Sequence, residues 1–405
     1  MNDSSRLTLT RRTMLAATAA TLTVSRAHAQ SPSEVKVGLL VPLSGLYARP
    51  GAVMKMGGEM AVDHINKAGG AKLKLVVLDC GDTVEKAKNA AQRMVAQETD
   101  LVVASGAYLS SFTLAVTEVT ERAQLPVLTL SYSDLITDRG FKYVFQTSAT
   151  AGSQARQSLP LLMKLAQSAS GKLPKTVAII TDNTGSSIAS AKAMREGLLK
   201  ENGLELVMDE TFTPPLSDAT PLVQKVRAVK PDLLFFLPTV ISDAKLVLEK
   251  MNEFGLSQGR IPTISFGIAI AEPDILQTIN PALLQGVITC VGSWATKGHE
   301  ELVAELKTRY NEPWMTQNAI STYGDMWLIK DALEKAGKAD KAAVAEALHT
   351  MDGGPSKYYP GGILKFDDKG RRVDAEMTIV QWQNGIPVTV FPQKLAVAEP
   401  FWPKR

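Results

Sequence analysis

The stretch VKVGLLVPL, residues 35–43, and the segment MKMGGEMAVDHINKAGG, residues 54–70, together decide the fold class. The first is rich in valine and leucine, which is typical of a strand buried in a parallel sheet. The second has apolar or small side chains at helical spacing and stops at two glycines, which is typical of a helix and its C-terminal end. The residues on that predicted face are Met54, Gly58, Ala61 and Ile65. A buried strand followed by such a helix predicts one unit of a parallel α/β sheet.

The same alternation continues along the chain and then occurs a second time. KLKLVVLD, VEKAKNAAQRMVAQ, DLVVA and PVLTL complete a first series of strands and helices. A second series begins with TVAIITD, continues with one predicted helix over SSIASAKAMREGLLKENG, and ends with GVITCVG. The last third of the chain is predicted to be helical and to finish in the hairpin-like segments GGILKFDDKGRR and EMTIVQWQNGIPVTVF. Two doubly wound α/β lobes in one chain predict a cleft between them.

The first 29 residues have the pattern of an export signal. Arg11 and Arg12 precede the uncharged stretch of residues 13–25, and Ala27-His28-Ala29 is a small-x-small cleavage site. The arginine pair resembles the twin-arginine type of signal, which directs a protein to the bacterial periplasm. The apolar part is far shorter than the roughly 20 residues that span a bilayer. We therefore expect residues 1–29 to be a signal peptide cleaved after Ala29, and the mature chain to lie in the periplasm.

The composition of the mature chain argues against several function classes. The 405 residues include 44 Lys and Arg and 41 Asp and Glu, and the signal holds four of the basic residues and one of the acidic ones. The mature chain is therefore neutral, without a basic run that would follow a phosphate backbone, so we expect no nucleic-acid partner. The two cysteines, Cys80 and Cys290, fall in different predicted lobes, so we expect two buried thiols and no disulfide.

Two serines occupy a strand-to-helix turn in SGAYLSSFT, residues 105–113. The first turn of a helix has unpaired N–H groups and a partial positive charge, so a serine there can cap the helix or help it to bind an anion. From these residues alone both interpretations are open.

Several segments, in their order and spacing, resemble one protein family over nearly the whole mature chain. These segments are VKVGLLVPLSGLYARPG, GGEMAVDHINKAGG, VVLDCGDTVEKAKNAAQRMV, VTERAQLPVLTLSYSD, KYVFQTSAT and KPDLLFFLP. They resemble the leucine/isoleucine/valine-binding type of periplasmic solute receptor of ABC importers, which belongs to the type I periplasmic binding proteins.

The resemblance implies a fold of the Venus-flytrap kind, with two Rossmann-like, doubly wound lobes joined by a three-crossover hinge. It implies an N-terminal lobe of residues 33–150 and 293–352, and a C-terminal lobe of residues 151–291 and 353–405. A member of this family is a monomeric receptor without a cofactor. It captures a small solute in the interlobe cleft and delivers it to an ABC permease in the inner membrane.

The resemblance also assigns candidate ligand-binding residues. In the family, the ligand carboxylate is bound by the first lobe, and the matching positions here are Ser110, Ser131 and Ser133. With the resemblance, we expect Ser110 to bind ligand, which remains compatible with capping by Ser111. The second lobe of amino-acid receptors supplies a tyrosine, a glutamate and an aromatic wall. Those positions match Thr239 in FLPTV, Ile268 in FGIAIAE and Thr184 in TDNTG.

These departures leave the ligand class open. A buried ammonium without an anionic partner costs several kcal/mol, so a solute without an amino group, an aromatic or aliphatic carboxylic acid, is the alternative to a branched-chain or related amino acid. If the alignment is shifted by a few residues, Glu272 or Asp274 supplies the missing acid. Tyr108 and Tyr132 either line the pocket or pack beneath it.

Two further questions are open from the sequence. Arg49, in SGLYARPG, is either a solvated lid residue or the partner of an anionic ligand. The same receptor could also act as a ligand sensor for a signalling partner, because the two roles use one fold.

We expect no enzymatic activity. After the signal only His64, His299 and His349 remain, and no G-x-S-x-G motif surrounds the candidate serines. ASGAYLSS is not a G-x-G-x-x-G dinucleotide fingerprint, and no metal-ligand cluster has a recognised spacing.

Overall fold

The computed structural model describes residues 34–257, 260–355, 357–361 and 363–402. The predicted export signal, residues 1–29, lies outside the described residues. Of the helices in the described ranges, none has both the length and the apolar character needed to cross a bilayer.

A five-stranded parallel sheet contains the first series of strands. Its strands are β1 (Val35–Val41), β2 (Leu73–Asp79), β3 (Val103–Gly106), β4 (Val127–Thr129) and β5 (Val144–Gln146). They lie in the order β2-β1-β3-β4-β5, and all neighbouring pairs are parallel. The order moves outward in both directions from β1, as in a doubly wound sheet, and this confirms the predicted class.

A second, seven-stranded sheet contains most of the remaining strands. The strands that follow β5 are, in chain order, β6 (Thr176–Asp182), β7 (Glu205–Phe212), β8 (Leu233–Leu237), β9 (Thr263–Phe266), β10 (Ile288–Val291), β11 (Asp352–Pro355), β12 (Ile363–Lys365), β13 (Thr378–Gln383) and β14 (Ile386–Phe391). The sheet has the order β14-β13-β10-β9-β8-β6-β7, whereas β11 and β12 pair with each other. The β13–β14 hairpin joins β10 in antiparallel orientation, which confirms the predicted terminal hairpin.

Helices connect the strands and cover both sheets. The described residues include α1 (Ala48–Ala68), α2 (Val84–Gln97), α3 (Ser110–Arg122), α4 (Ala151–Ser170), α5 (Gly185–Ala193), α6 (Leu199–Glu201), α7 (Thr220–Val229), α8 (Ile241–Glu253), α9 (Glu300–Tyr310), α10 (Gln317–Ala336) and α11 (Lys341–His349). Helix α10 packs closely on α1, since a Cβ atom at Gly57 would lie 2.1 Å from the carbonyl oxygen of Ala319. The last third of the chain therefore returns to the first sheet. We call the elements on the five-stranded sheet the N-terminal lobe and those on the seven-stranded sheet the C-terminal lobe.

Two helices differ from what the sequence predicts. The single helix predicted over residues 186–203 is interrupted between α5 and α6 by a π-helical turn, Met194–Leu198. Gly197 in that turn has φ 132°, a conformation that glycine tolerates and other residues rarely adopt. Helix α4 was absent from the predicted elements. Its sequence contains Pro160 and several serines, which weaken the helical pattern.

The two cysteines lie in different hydrophobic clusters. Cys80 and Cys290 are free, buried thiols in separate hydrophobic clusters, in agreement with the predicted absence of a disulfide between them.

The segment after β12 packs on the N-terminal lobe before the chain reaches β13. Phe366 lies 5.2 Å from Phe145 of β5, centroid to centroid, and the N–H of Gln146 donates to the carbonyl oxygen of Gly370 at 2.8 Å.

Candidate functional site

Loops from both lobes meet around a small cavity of about 40 Å³. The loops follow the carboxyl ends of β3 and β4 in the N-terminal lobe and of β6, β8 and β9 in the C-terminal lobe. The carboxyl ends of parallel strands are where α/β folds place their ligands, because the connecting loops open there. Of the predicted site residues, the cavity is lined by Tyr108, Ser131, Tyr132, Thr239 and Ile268.

A larger chamber of about 210 Å³ adjoins this cavity. Tyr108, Thr239 and Ala269 line both spaces. The larger chamber is also lined by Arg49 and Glu272, two of the three charged residues whose roles the sequence left open. Together the two spaces form the candidate site.

Ser110 is completely buried and makes hydrogen bonds to both lobes. Its hydroxyl oxygen accepts from the N–H of Ser133 at 3.1 Å, and its own N–H donates to the hydroxyl of Ser186 at 3.1 Å. The Ser186 hydroxyl in turn lies 3.1 Å from the Ser110 hydroxyl. The interpretation of Ser110 or Ser111 as the helix cap is wrong, because the N-cap residue of α3 is Leu109. The Ser186 oxygen instead occupies the positive end of α3.

The other two predicted serines differ from Ser110. The Ser131 hydroxyl contacts the carbonyl oxygen of Ala107 at 2.8 Å and the hydroxyl of Thr113 at 2.6 Å, so its proton is used within the N-terminal lobe. Ser133 does not line the candidate site. Its side chain faces a separate interlobe groove of about 460 Å³, and it contributes its N–H to Ser110.

Thr184 and Thr239 both bind the carboxylate of Asp182. The hydroxyl of Thr184 donates to one carboxylate oxygen at 2.7 Å, and that of Thr239 donates to the other at 2.6 Å. Thr184 also caps α5, accepting from the N–H of Ser187 at 3.5 Å, and it is not among the described residues that line either space. Thr239 lines both spaces.

Two tyrosines form aromatic walls. Tyr132 is buried, and its hydroxyl donates to the side-chain oxygen of Gln317. Tyr108 packs on Tyr47, with 6.0 Å between ring centroids. Burial raises the pKa of both Tyr108 and Tyr132 above the ordinary value of tyrosine, so both hydroxyls stay protonated. The sequence left open whether these tyrosines line the pocket or pack beneath it. Both of them line the cavity and also pack against neighbouring side chains.

Glu272 is a buried acid with one unused oxygen. The residue is 2% exposed, and its Oε1 accepts from the side-chain amide of Asn318 at 3.1 Å. Within the described residues, its Oε2 has no hydrogen-bond partner, and the same holds for the Asn318 carbonyl oxygen. Loss of hydration, which disfavours the charged carboxylate, raises the pKa of Glu272 to about 8. A buried polar atom without a partner in a cavity wall is a candidate ligand contact.

Arg49 joins the two lobes. Its guanidinium forms ion pairs with Asp274 at 2.5 Å and with Glu312 at 2.8 Å. Arg49 belongs to α1 of the N-terminal lobe, and Asp274 follows β9 of the C-terminal lobe. With both carboxylates bound to it, Arg49 is an interlobe contact and not a solvated lid residue, whereas its role as the partner of an anionic ligand stays a prediction.

Three residues of the site escaped the sequence analysis: Asp182, Ser186 and Gln317. A signal was available for Ser186, because it follows β6 at a helix start, as Ser110 follows β3. Asp182 is the last residue of β6, and nothing in the local sequence distinguishes it from other strand ends. Gln317 is distant in sequence and reaches Tyr132 only through the fold. In the described part of the chain, no group of three or more His, Cys, Asp or Glu side chains is arranged to hold a metal ion.

Comparison with known proteins places the chain in a family. Residues 34–386 match the family model described as periplasmic binding protein. A Leu/Ile/Val-binding protein homolog of Brucella melitensis is 30% identical over 385 residues, covering 92% of this chain and 94% of that protein.

Two solved structures share the fold at low sequence identity. A leucine-binding protein from Thermotoga maritima has a TM-score of 0.75 at 19% identity, covering 89% of this chain and 100% of that one. A solute-binding protein from R. palustris in complex with benzoate has a TM-score of 0.73 at 20% identity, covering 90% of this chain and 98% of that one. The match of the family model over most of the sequence shows that this chain belongs to the periplasmic binding protein family.

Proposed function

We propose that the chain is the periplasmic solute receptor of an ABC importer and that it captures a branched-chain or related amino acid between its lobes. The family supports a receptor role. The relatives named for leucine, isoleucine and valine support an amino acid as the solute. The single observation that carries the proposal within this chain is that Glu272, which lines the larger chamber, has a buried carboxylate oxygen without a hydrogen-bond partner among the described residues.

A ligand ammonium would satisfy Glu272. A buried carboxylate with a free oxygen is costly to ionise unless a cation or a donor approaches it. Arg49, the cation that lines the same chamber, is bound to Asp274 and Glu312. These three charged groups and Glu272 together have an excess of negative charge, which favours a cationic group on the solute.

The N-terminus of α3 is the proposed binding site of the ligand carboxylate. The N–H and hydroxyl of Ser110 now contact the hydroxyl of Ser186, which is neutral. A carboxylate oxygen in the same position would form charge-assisted hydrogen bonds and would lie at the positive end of the helix. We propose Ser110 and Ser186 as carboxylate contacts, with Tyr108, Tyr132 and Ile268 around the apolar part. Ser131 and Ser133 then stabilise the loops of the N-terminal lobe that carry these contacts. Thr184 and Thr239 hold the loops of the C-terminal lobe in place through Asp182.

A carboxylic acid without an amino group is the second candidate solute. The tyrosine and glutamate positions of amino-acid receptors hold Thr239 and Ile268 here, and the two aromatic walls suit a ring. The R. palustris protein that shares this fold was crystallised with benzoate. With its raised pKa, Glu272 could be protonated and donate a hydrogen bond to such an acid.

A receptor role is proposed rather than catalysis. The three histidines of the mature chain pair away from the candidate site: His64 with Tyr323 and Glu305, His299 with the carbonyl oxygen of Lys357, and His349 with the carbonyl oxygen of Lys142. We propose that the receptor is a monomer in the periplasm and that its partner is a permease of the inner membrane. A signalling partner would use the same closure, and the genes adjacent to this one would distinguish the two roles.

A thermal-shift comparison of matched solutes tests the proposal. The mature protein, residues 30–405, is heated with L-leucine or 4-methylpentanoate, with L-phenylalanine or 3-phenylpropanoate, and with benzoate. A solute that binds only the folded protein raises the melting temperature. We expect the amino acid of a pair to raise it more than the matching acid. A larger rise with the plain acids would favour the second candidate, and no rise with any solute would contradict both.

A further inference from the structure

Asp182 is a buried carboxylate at the carboxyl end of β6. The residue is 0% exposed, and it takes part in none of the ion pairs formed among the described residues. A buried charge without a counter-ion persists only when hydrogen-bond donors surround it. Asp182 therefore requires an explanation beyond its place in the strand.

Four donors from two loops satisfy this carboxylate. One oxygen accepts from the N–H of Thr184 at 3.0 Å and from its hydroxyl at 2.7 Å. The other oxygen accepts from the N–H of Thr239 at 2.7 Å and from its hydroxyl at 2.6 Å. Thr184 follows β6 and Thr239 follows β8, so each oxygen holds one loop.

Both loops carry contacts to the N-terminal lobe. Thr184 begins α5, in which Ser186 meets Ser110 across the interlobe boundary. Thr239 lines both spaces of the candidate site, and its side chain interacts with the hydroxyl of Tyr47 from the N-terminal lobe. The same carboxylate thus sets the positions of two separate interlobe contacts.

We infer that Asp182 is a positioning residue: it holds the loops after β6 and β8 in the arrangement in which the C-terminal lobe closes on the solute. The inference rests on the function proposed above. Asp182 itself lines neither space, so it acts through Thr184 and Thr239 and does not touch the solute.

The substitution Asp182→Asn removes this arrangement with little change in shape. An asparagine side chain replaces one acceptor oxygen with an amide group that can only donate. In either orientation, that amide faces a backbone N–H, which is also only a donor and cannot turn away. One of the two loops therefore loses its backbone hydrogen bond, although the threonine hydroxyl of that loop can turn to accept from the amide.

Amide hydrogen exchange and solute affinity test the inference together. In Asp182→Asn without solute, we expect the amide of Thr184 or Thr239 to exchange at least tenfold faster than in the unmodified protein. We expect the dissociation constant of L-leucine, measured by calorimetry, to rise at least tenfold. The matched control is Asp209→Asn, because Asp209 lies on β7 and pairs with Arg195 of the π-helical turn, away from the site. We expect it to leave both measurements unchanged.

Substitutions at Thr239 supply an independent test, also for the case that Asp182→Asn does not fold. Thr239→Val removes one donor from Asp182. Because Thr184 and Thr239 bind the same carboxylate, we expect this substitution to speed exchange of the Thr184 amide. Thr239→Ser retains the hydroxyl and should restore slow exchange. A residue that only contacts solute would not change exchange at Thr184.

Defined outcomes would overturn the inference. These are unchanged exchange at both amides in Asp182→Asn, or faster exchange with a leucine affinity within twofold of the unmodified protein. Failure of L-leucine to bind the unmodified protein would count against the proposed function. The exchange comparison needs no solute, and unchanged exchange would still overturn the inference.

Discussion

At the scale of the residue, we expect Glu272 to affect both stability and selectivity. The residue lines the larger chamber, its Oε1 is bound by Asn318, and its buried Oε2 has no partner in the described part of the chain. Leaving a buried polar group unsatisfied costs about 1–3 kcal/mol. A protein retains such a group where a ligand supplies the missing partner, which is the reason for assigning Glu272 to the solute ammonium.

The affinity for an amino acid should depend on pH through Glu272. In the free protein the pKa of Glu272 is raised to about 8 by burial, so the acid is protonated at neutral pH. An ammonium requires the ionised form, so binding must release a proton below pH 8. We expect the leucine affinity to increase about tenfold per pH unit from pH 6 towards pH 8 and then to level off. Calorimetry at pH 7 in buffers of different ionisation enthalpy should detect nearly one proton released.

Glu272→Gln is the matching variant. It should abolish both the proton release and the preference for leucine over 4-methylpentanoate. Unfolded Glu272 would titrate near its ordinary pKa of 4.5, so the folded protein binds the extra proton between about pH 4.5 and 8 and loses stability as the pH rises. We therefore expect Glu272→Gln to be more stable than the unmodified protein at pH 8 by about 1–3 kcal/mol. An equal pH dependence in both proteins would contradict this role.

At the scale of elements, the N-terminus of α3 is the important feature. The first N–H groups of a helix lack internal partners, and here the Ser186 hydroxyl at the start of α5 accepts from the N–H of Ser110. The loop after β4 in turn donates the N–H of Ser133 to the Ser110 hydroxyl. Two neighbouring parallel strands and the opposite lobe thus converge on one helix end. This convergence makes α3, rather than any single serine, the expected anion-binding element.

Ser110→Ala tests this element. It removes one hydroxyl that can bind the carboxylate, so we expect the affinity for L-leucine or 4-methylpentanoate to decrease by about 1.5–3 kcal/mol, because the lost hydrogen bond is to a charged group. Ser158→Ala is the matched control, since Ser158 is equally buried in α4 and bonds to its own helix. An unchanged dissociation constant for Ser110→Ala would remove Ser110 from the site.

At the scale of the whole molecule, the ion pair between Arg49 and Asp274 joins the lobes. Both side chains are about one-third exposed, so the pair is partly screened by solvent. Asp274→Asn should leave Arg49 paired with Glu312 and weaken the closed form. We expect leucine to dissociate about two- to fivefold faster, with a reduced dependence on salt. Stopped-flow measurements at pH 9, where Glu272 is ionised in both proteins, check this expectation.

The ion pair between Lys225 and Glu210 supplies the control, because it lies within the C-terminal lobe at 2.6 Å. Glu210→Gln should not change the dissociation rate. Equal rates in Asp274→Asn and in the unmodified protein would show that the interlobe pair does not hold the closed form.

The division of the chain between the lobes remains a prediction. The sequence assigned residues 353–405 to the C-terminal lobe, but Phe366 and Gly370 contact β5 of the N-terminal lobe. We propose that the final crossing occurs after Arg372, whose N–H donates to the carbonyl oxygen of Gln146. Comparison of open and closed crystal forms would test this, because residues 357–372 should then move with the N-terminal lobe.

The sequence alone determined the fold class and the position of the N-terminal part of the site. Apolar runs alternating with helical patterns are local signals, and they predicted both sheets and most helices. Local signals placed Ser110 at the turn between β3 and α3, but its role as a ligand contact was implied by the family resemblance and stays a prediction.

Only the tertiary structure decided which polar groups are already paired and which are free. Thr239 and Ser131 matched ligand positions in the sequence, yet their hydroxyls bind Asp182 and the N-terminal lobe. Glu272 and Ser186 come from loops far from α3 in the sequence. Hydrogen bonding and burial depend on groups that folding brings together from distant parts of the chain, and no local pattern contains that information.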